Sequence, residues 1–78
     1  MRITVKYFGM IADWTGATEQ SVVFAGTTVQ DLKKQLETEY PKLKNISYQV
    51  AVEQKIASDQ QTLNENNELA LLPPFAGG

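Results

Sequence analysis

Few residues in this chain are equipped for chemistry, and the ones that are stand at one end. The 78 residues include no cysteine and no histidine. That removes a thiol nucleophile, an imidazole for acid–base work and the usual zinc ligands. Asp13, Glu19, Asp31 and Asp59 are scattered, with no base or nucleophile spaced to converge on them. Gly9, Gly16 and Gly26 stand alone and form no phosphate-cradling loop. Lys6, Lys33, Lys34, Lys42, Lys44 and Lys55 read as solubilising charges. No active site of the chain's own is expected, and no metal or cofactor held by it.

What remains is Leu71-Leu72-Pro73-Pro74-Phe75-Ala76-Gly77-Gly78. An apolar strand stops at Pro73-Pro74, which lack an N–H and hold φ near −65°, so they set a stiff, extended exit. Gly77 and Gly78 have no Cβ, so a partner can close around their backbone in a narrow channel. An extended stretch from Pro74 to Gly78 reaches roughly 16 Å, at about 3.3 Å per residue. Its reactive group is the expected terminal carboxylate of Gly78. A carboxylate is a poor electrophile at neutral pH and needs activation. The common route is an acyl-adenylate made with ATP by another enzyme. A sulfur nucleophile that displaces AMP leaves a thiocarboxylate; an amine leaves an amide. The chain therefore reads as a substrate or carrier that takes part in chemistry through Gly78.

The remaining sequence is expected to hold that stretch in place. A length of 78 residues makes one domain, with 1–78 as a single unit and 73–78 as an extended tail. Apolar content of 42% and charged content of 21% describe a globular chain rather than a disordered one. A net charge of −2 argues against nucleic acid, which favours a basic face. No apolar run approaches the ~20 residues of a membrane span and the N-terminus carries no signal-peptide pattern, so a cytoplasmic protein without a membrane partner is expected.

Ile3, Val5 and Tyr7 alternate with Arg2, Thr4 and Lys6, which predicts a half-buried strand. Phe8 continues on the polar face at the strand's end; a bend there would turn it inward, whereas parity exposes it to a partner. Met10, Ile11 and Trp14 suit a short helical turn stopped at Gly16, with Trp14 as a lid on the core. A second strand runs from Gln20 to Phe24. Thr28 and Asp31 form a capping box ahead of the stripe Val29, Leu32, Leu36 and Tyr40, and Pro41 stops that helix. Lys42 to Ser47 reads as a polar link. Tyr48, Val50 and Val52 start a third strand, expected to extend to Ile56 with a bend near Gln54-Lys55. Leu63 plugs the core, Asn64 to Asn67 make a left-handed turn, and Leu69 and Leu71 lead the last strand out. The fold class is α+β, a mixed sheet with one main helix packed across it. Strand order is not readable from the pattern.

With those elements placed, Leu72-Pro73-Pro74-Phe75-Ala76-Gly77-Gly78 closely resembles the closing motif of the small sulfur-carrier subunits of molybdopterin synthase, in the ubiquitin-like ThiS/MoaD family. The resemblance extends to the Ile3–Phe8 strand, the Gly9–Gly16 turn, the Thr28-Val29 helix start, Val50-Ala51-Val52, and Leu63 through Leu72. It implies a β-grasp (ubiquitin-like) fold. It further implies that a ubiquitin-activating-like adenylating enzyme uses ATP on Gly78, which becomes a thiocarboxylate. The large synthase subunit then receives the tail, and the sulfur passes to cyclic pyranopterin monophosphate. Two small and two large subunits make the implied complex, with the catalytic side chains on the large one. Carried over, Gly78 bears the sulfur and Gly77 is its slim neighbour. Pro73, Pro74, Phe75 and Ala76 form the threaded arm, with Phe8 and Leu72 in the partner-binding patch.

Two positions depart from the family pattern: Glu53 stands where Asn is common, and Asn66-Asn67-Glu68 replaces a Gly-Asp-Glu turn. The alternatives are a thiamine-type or tungsten-cofactor sulfur carrier, or a ubiquitin-like protein modifier joined to lysines through Gly78. The thiamine type is typically shorter and lacks Pro-Pro before its glycines, so Pro73-Pro74 disfavours it.

Overall fold

The computed structural model describes residues 1–74. In chain order it contains β1 (Arg2–Tyr7), α1 (Gly9–Thr15), β2 (Glu19–Val23) and α2 (Val29–Glu39). A short 3-10 helix, Pro41–Asn45, follows, then β3 (Gln49–Val52), β4 (Lys55–Ile56) and β5 (Glu68–Leu72). The strands form one sheet in the order β2-β1-β5-β3-β4. β1 pairs antiparallel with β2 but parallel with β5, in the register Tyr7↔Leu71. A parallel neighbour needs a crossover, and everything from β2 to β4 lies between β1 and β5 in sequence. This is the mixed sheet and single covering helix of a β-grasp domain, as the resemblance implies.

Alternation in the strands sends Ile3, Val5, Tyr7, Val50, Leu69 and Leu71 to one face, where all are buried. Val29, Leu32 and Leu36 of α2 are fully buried in the same core cluster. Each such side chain contributes about 1.5–3 kcal/mol by leaving water. α2 starts where the capping box places it. Thr28 Oγ1 accepts the Asp31 N–H, and Asp31 Oδ2 accepts the N–H groups of Thr27 (2.9 Å) and Thr28 (3.0 Å). Those two backbone donors hold the Asp31 carboxyl below the usual carboxylate range. Leu63 fills the core as expected, and its N–H donates to the Thr27 carbonyl beside that cap.

Two expectations change, and the short helix stopped at Gly16 gains detail. The link after Pro41 is not purely polar: it winds into the 3-10 helix and buries Leu43 between Lys42 and Lys44. Proline ended α2 but is also well suited to the first turn of the next helix. In α1 the core residue is Ile11, whereas Met10 is 40% exposed; Trp14 packs partly buried against the core. Finally, the third strand does not run bent to Ile56. It stops at Val52, turns through Glu53 and Gln54, and returns antiparallel as β4 with Val52↔Lys55 and Ala51↔Ile56 paired. Both turn residues have positive φ, 50° and 70°, the geometry of a tight two-residue hairpin.

Candidate functional site

The site is built on the ends of the two central strands. The parallel register Tyr7↔Leu71 sets Phe8 beside Leu72, and Gln49 pairs with Leu72 from the other side. Leu71 is therefore held between two strands and Leu72 by β3, and Pro73 and Pro74 then leave the sheet. Pro73 is buried and Pro74 exposed. Phe75, Ala76, Gly77 and Gly78 lie outside the described residues.

Pro73 is seated against Gly9. That glycine has φ +56°, and a Cβ built on it would lie 3.1 Å from Pro73 Cγ, tighter than ordinary contact. Phe8, immediately before it, adopts extended backbone and is 45% exposed, as its parity predicts. Gly9 was read from sequence as an isolated turn residue. Its value lies in a left-handed φ and a close neighbour 64 positions away in sequence, and neither leaves a local signal.

Phe8 and Leu72 share the sheet face opposite α2. The same face carries a row across four strands, Lys6, Ala70, Ala51 and Ile56, in paired register. Ile56 is 57% exposed. At the centre Ala51 is buried and Ala70 half-buried, with Phe8 and Ile56 as larger exposed apolar groups to either side. Lys6 Nζ and Glu68 Oε1 pair at 3.1 Å on this face, both side chains substantially exposed. Such a pair contributes little to stability in water. The sequence reading missed Ile56, Ala51 and Ala70. The outward parity of Ala51 between Val50 and Val52 was a usable signal, but Ile56 became assignable only once the hairpin was known.

On this face Lys6 and Glu68 are engaged with each other. Beneath it Tyr7 donates from its hydroxyl to Gln20 Oε1 at 2.8 Å and packs edge-on to Tyr40. Burial, helped by Tyr40 and Glu39, pushes the Tyr7 phenol up to about 12, so it stays protonated at neutral pH. Among the described residues, no three acidic side chains are grouped to hold a metal ion, and no helix is long and apolar enough to cross a membrane.

The other end of β5 is polar. The Glu53 carboxylate Oε2 accepts the backbone N–H of Glu68 at 2.6 Å and Asn67 Nδ2 at 3.3 Å. The two departures from the family pattern thus touch each other. Asn67 Oδ1 also accepts the Asn64 N–H at 2.7 Å, and Asn66 takes the left-handed conformation with φ 68°.

The fold and the exit of its last strand define a ubiquitin-like β-grasp domain that carries a proline-led C-terminal segment beside an open apolar sheet face. The chain belongs to the ThiS family, whose sequence profile matches residues 5–78. It is 35% identical over 82 residues to the molybdopterin synthase sulfur carrier subunit of Mycobacterium tuberculosis, with 100% of this chain and 99% of that one covered. A putative molybdopterin converting factor, subunit 1, from Pyrococcus furiosus superposes with a TM-score of 0.87 at 21% identity, over 96% of this chain and 99% of that one. Small archaeal modifier protein 1 of Haloferax volcanii superposes at 0.81 with 25% identity over 100% of both chains. The chain is also similar in fold to a member of the Helicobacter pylori complex of subunits 1 and 2 of molybdopterin-converting factor, with a TM-score of 0.69, 21% identity and full coverage of both chains.

Proposed function

We propose that this protein is a sulfur carrier in molybdenum cofactor biosynthesis, the small subunit of a cytoplasmic molybdopterin synthase. The observation that carries the reading is the end-to-end similarity to a sulfur carrier subunit, with the family match running through to Gly78. In this reading an adenylating enzyme joins the Gly78 carboxylate to AMP and releases pyrophosphate from ATP. A sulfide-level nucleophile then displaces AMP and leaves the thiocarboxylate. The arm, residues 73–77 with the buried Pro73 as its root, enters the large subunit, where the sulfur passes to cyclic pyranopterin monophosphate. Phe8, Leu72 and the alanine row form the docking face, and two small and two large subunits assemble. The domain's own contribution is presentation, in keeping with a sheet face that offers Phe8 and Ile56 as exposed apolar surface.

A protein-modifier role is the second reading, favoured by the 25% identity to small archaeal modifier protein 1. Intact mass of the chain, produced in a host that makes molybdenum cofactor, separates the two. One oxygen replaced by sulfur, localised to the C-terminal peptide, is the expected result. Amide adducts on other proteins, with no sulfur loading, would move the assignment to a modifier. Unmodified carboxylate alone, despite ATP, adenylating enzyme and a sulfur source, would reject the carrier reading and leave a modifier or an inert interaction domain.

A further inference from the structure

We propose that Gly9 is a positioning residue for the tail: it forms the seat that fixes where and in which direction the chain leaves the body at Pro73. The inference rests on the carrier reading for its functional consequence but on the fold for its geometry. β5 cannot yield near this point, because Leu71 is paired with Tyr7 and Leu72 with Gln49. Pro73 follows the last of those pairs and is nevertheless buried, whereas Pro74 is exposed. Its ring lies over the bare Cα of Gly9, where an added Cβ would come within 3.1 Å of Pro73 Cγ.

A side chain at position 9 meets two obstacles. It would occupy a left-handed φ of 56°, which disfavours any residue with a Cβ. It would also need Pro73 to retreat by a few tenths of an ångström. β5 is paired on both sides at Leu71 and by β3 at Leu72, so the displacement goes into the segment beyond them. Pro73-Pro74 is stiff and forms no backbone hydrogen bond through nitrogen, so a tilt at the seat is carried forward rather than absorbed. The seat therefore prepays part of the ordering that a partner would otherwise impose on the arm.

The test compares the wild-type chain with Gly9→Ala, Pro73→Ala and the double variant. Two readouts are taken at a temperature where circular dichroism shows each chain folded. The first is the nuclear Overhauser contact between Pro73 ring protons and the residue 9 α-protons in the isolated protein. The second is ATP-dependent activation by the adenylating enzyme, resolved into KM and kcat. The wild type is expected to show the contact, and Gly9→Ala to weaken it. KM for the chain should rise about tenfold in Gly9→Ala with kcat little changed, since the ordering that the seat supplied must then be met on binding. Pro73→Ala should raise KM to a similar degree, and the double variant should be no worse than either single change, because both remove the same contact.

A loss of stability alone would lower the melting temperature and leave KM of the folded chain unchanged. Should Gly9→Ala fail to fold, Pro73→Ala carries the test. Unchanged KM in the folded variants, fully multiplicative effects, or no Pro73–Gly9 contact in the wild type would each overturn the seat. A wild-type chain that is not activated at all would reject the carrier reading, and the contact measurement would then decide the seat by itself.

Discussion

The two ends of β5 are held by opposite means. At its entry, the Glu53 carboxylate reaches across from the β3–β4 turn to the Glu68 N–H, and Asn67 completes a small polar cluster. At its exit, Pro73 is held by shape, against a glycine that leaves little room for a Cβ. Hydrogen bonds at an exposed turn tolerate exchange, because several side chains can supply an acceptor and water substitutes for a lost one. Close packing does not, since a few tenths of an ångström decide it. The lesson is where variation is cheap. The chain departs from its family's pattern at the entry, twice, and the two changes meet. At the exit it keeps Pro-Pro and the closing glycines.

The largest effect that this contrast predicts is all-or-none. Deletion of Gly78 should abolish sulfur loading, read by intact mass, while the thermal midpoint stays where it was. The core ends at Leu71, and Pro73 is the last buried residue described. A fall of several degrees on that deletion would show that the exit end stabilises the domain and would erase the contrast. Next comes Phe8→Ala on the docking face. Affinity for the large subunit should drop by about 1–2 kcal/mol, a five- to thirtyfold weakening by calorimetry, as for an aromatic anchor. Stability should change little because the ring is already half exposed. Equal affinity would remove Phe8 from the docking face.

Much of the domain was legible in sequence because its signals are local. The capping box, the Val29-Leu32-Leu36 stripe and the alternation of β1 and β5 each follow from a periodicity that burial enforces. Phe8 was readable as exposed for the same reason, since parity needs no partner strand. The features missed depend on contacts distant in sequence or on unfavourable local chemistry. The hairpin at Glu53-Gln54 carries none of the Asn-Gly or Asp-Gly signal that its φ values call for, so the sequence reads as one strand bent near Gln54-Lys55. Leu43 was lost between two lysines. Gly9 and Pro73 become related only when β1 and β5 are known to be parallel neighbours.

The entry end supplies the smaller effects. Glu53→Ala removes the acceptor of the Glu68 N–H and the Asn67 amide. With water able to reach the site, the expected loss is about 1–2 kcal/mol in chemical denaturation, and the rate of sulfur loading should be unaffected. If loading also fell, the two ends of β5 would be coupled through the strand rather than independent.

The smallest change should be a gain. Gln54 sits at φ 70° without glycine's freedom and, unlike Glu53, makes no side-chain hydrogen bond among the described residues. Gln54→Gly relieves a left-handed residue of about 1 kcal/mol of strain. The greater freedom of glycine in the unfolded chain offsets part of this, so a net stabilisation of roughly 0.5 kcal/mol is expected. Denaturant midpoints of the single variant and of Gln54→Gly combined with Glu53→Ala would measure it. A gain that persists in the Glu53→Ala background would mean that turn strain and the carboxylate latch act separately. A gain confined to the wild-type background would mean that the latch holds Gln54 in its strained state. The polar end of β5 would then depend on geometry as tightly as the end at Gly9.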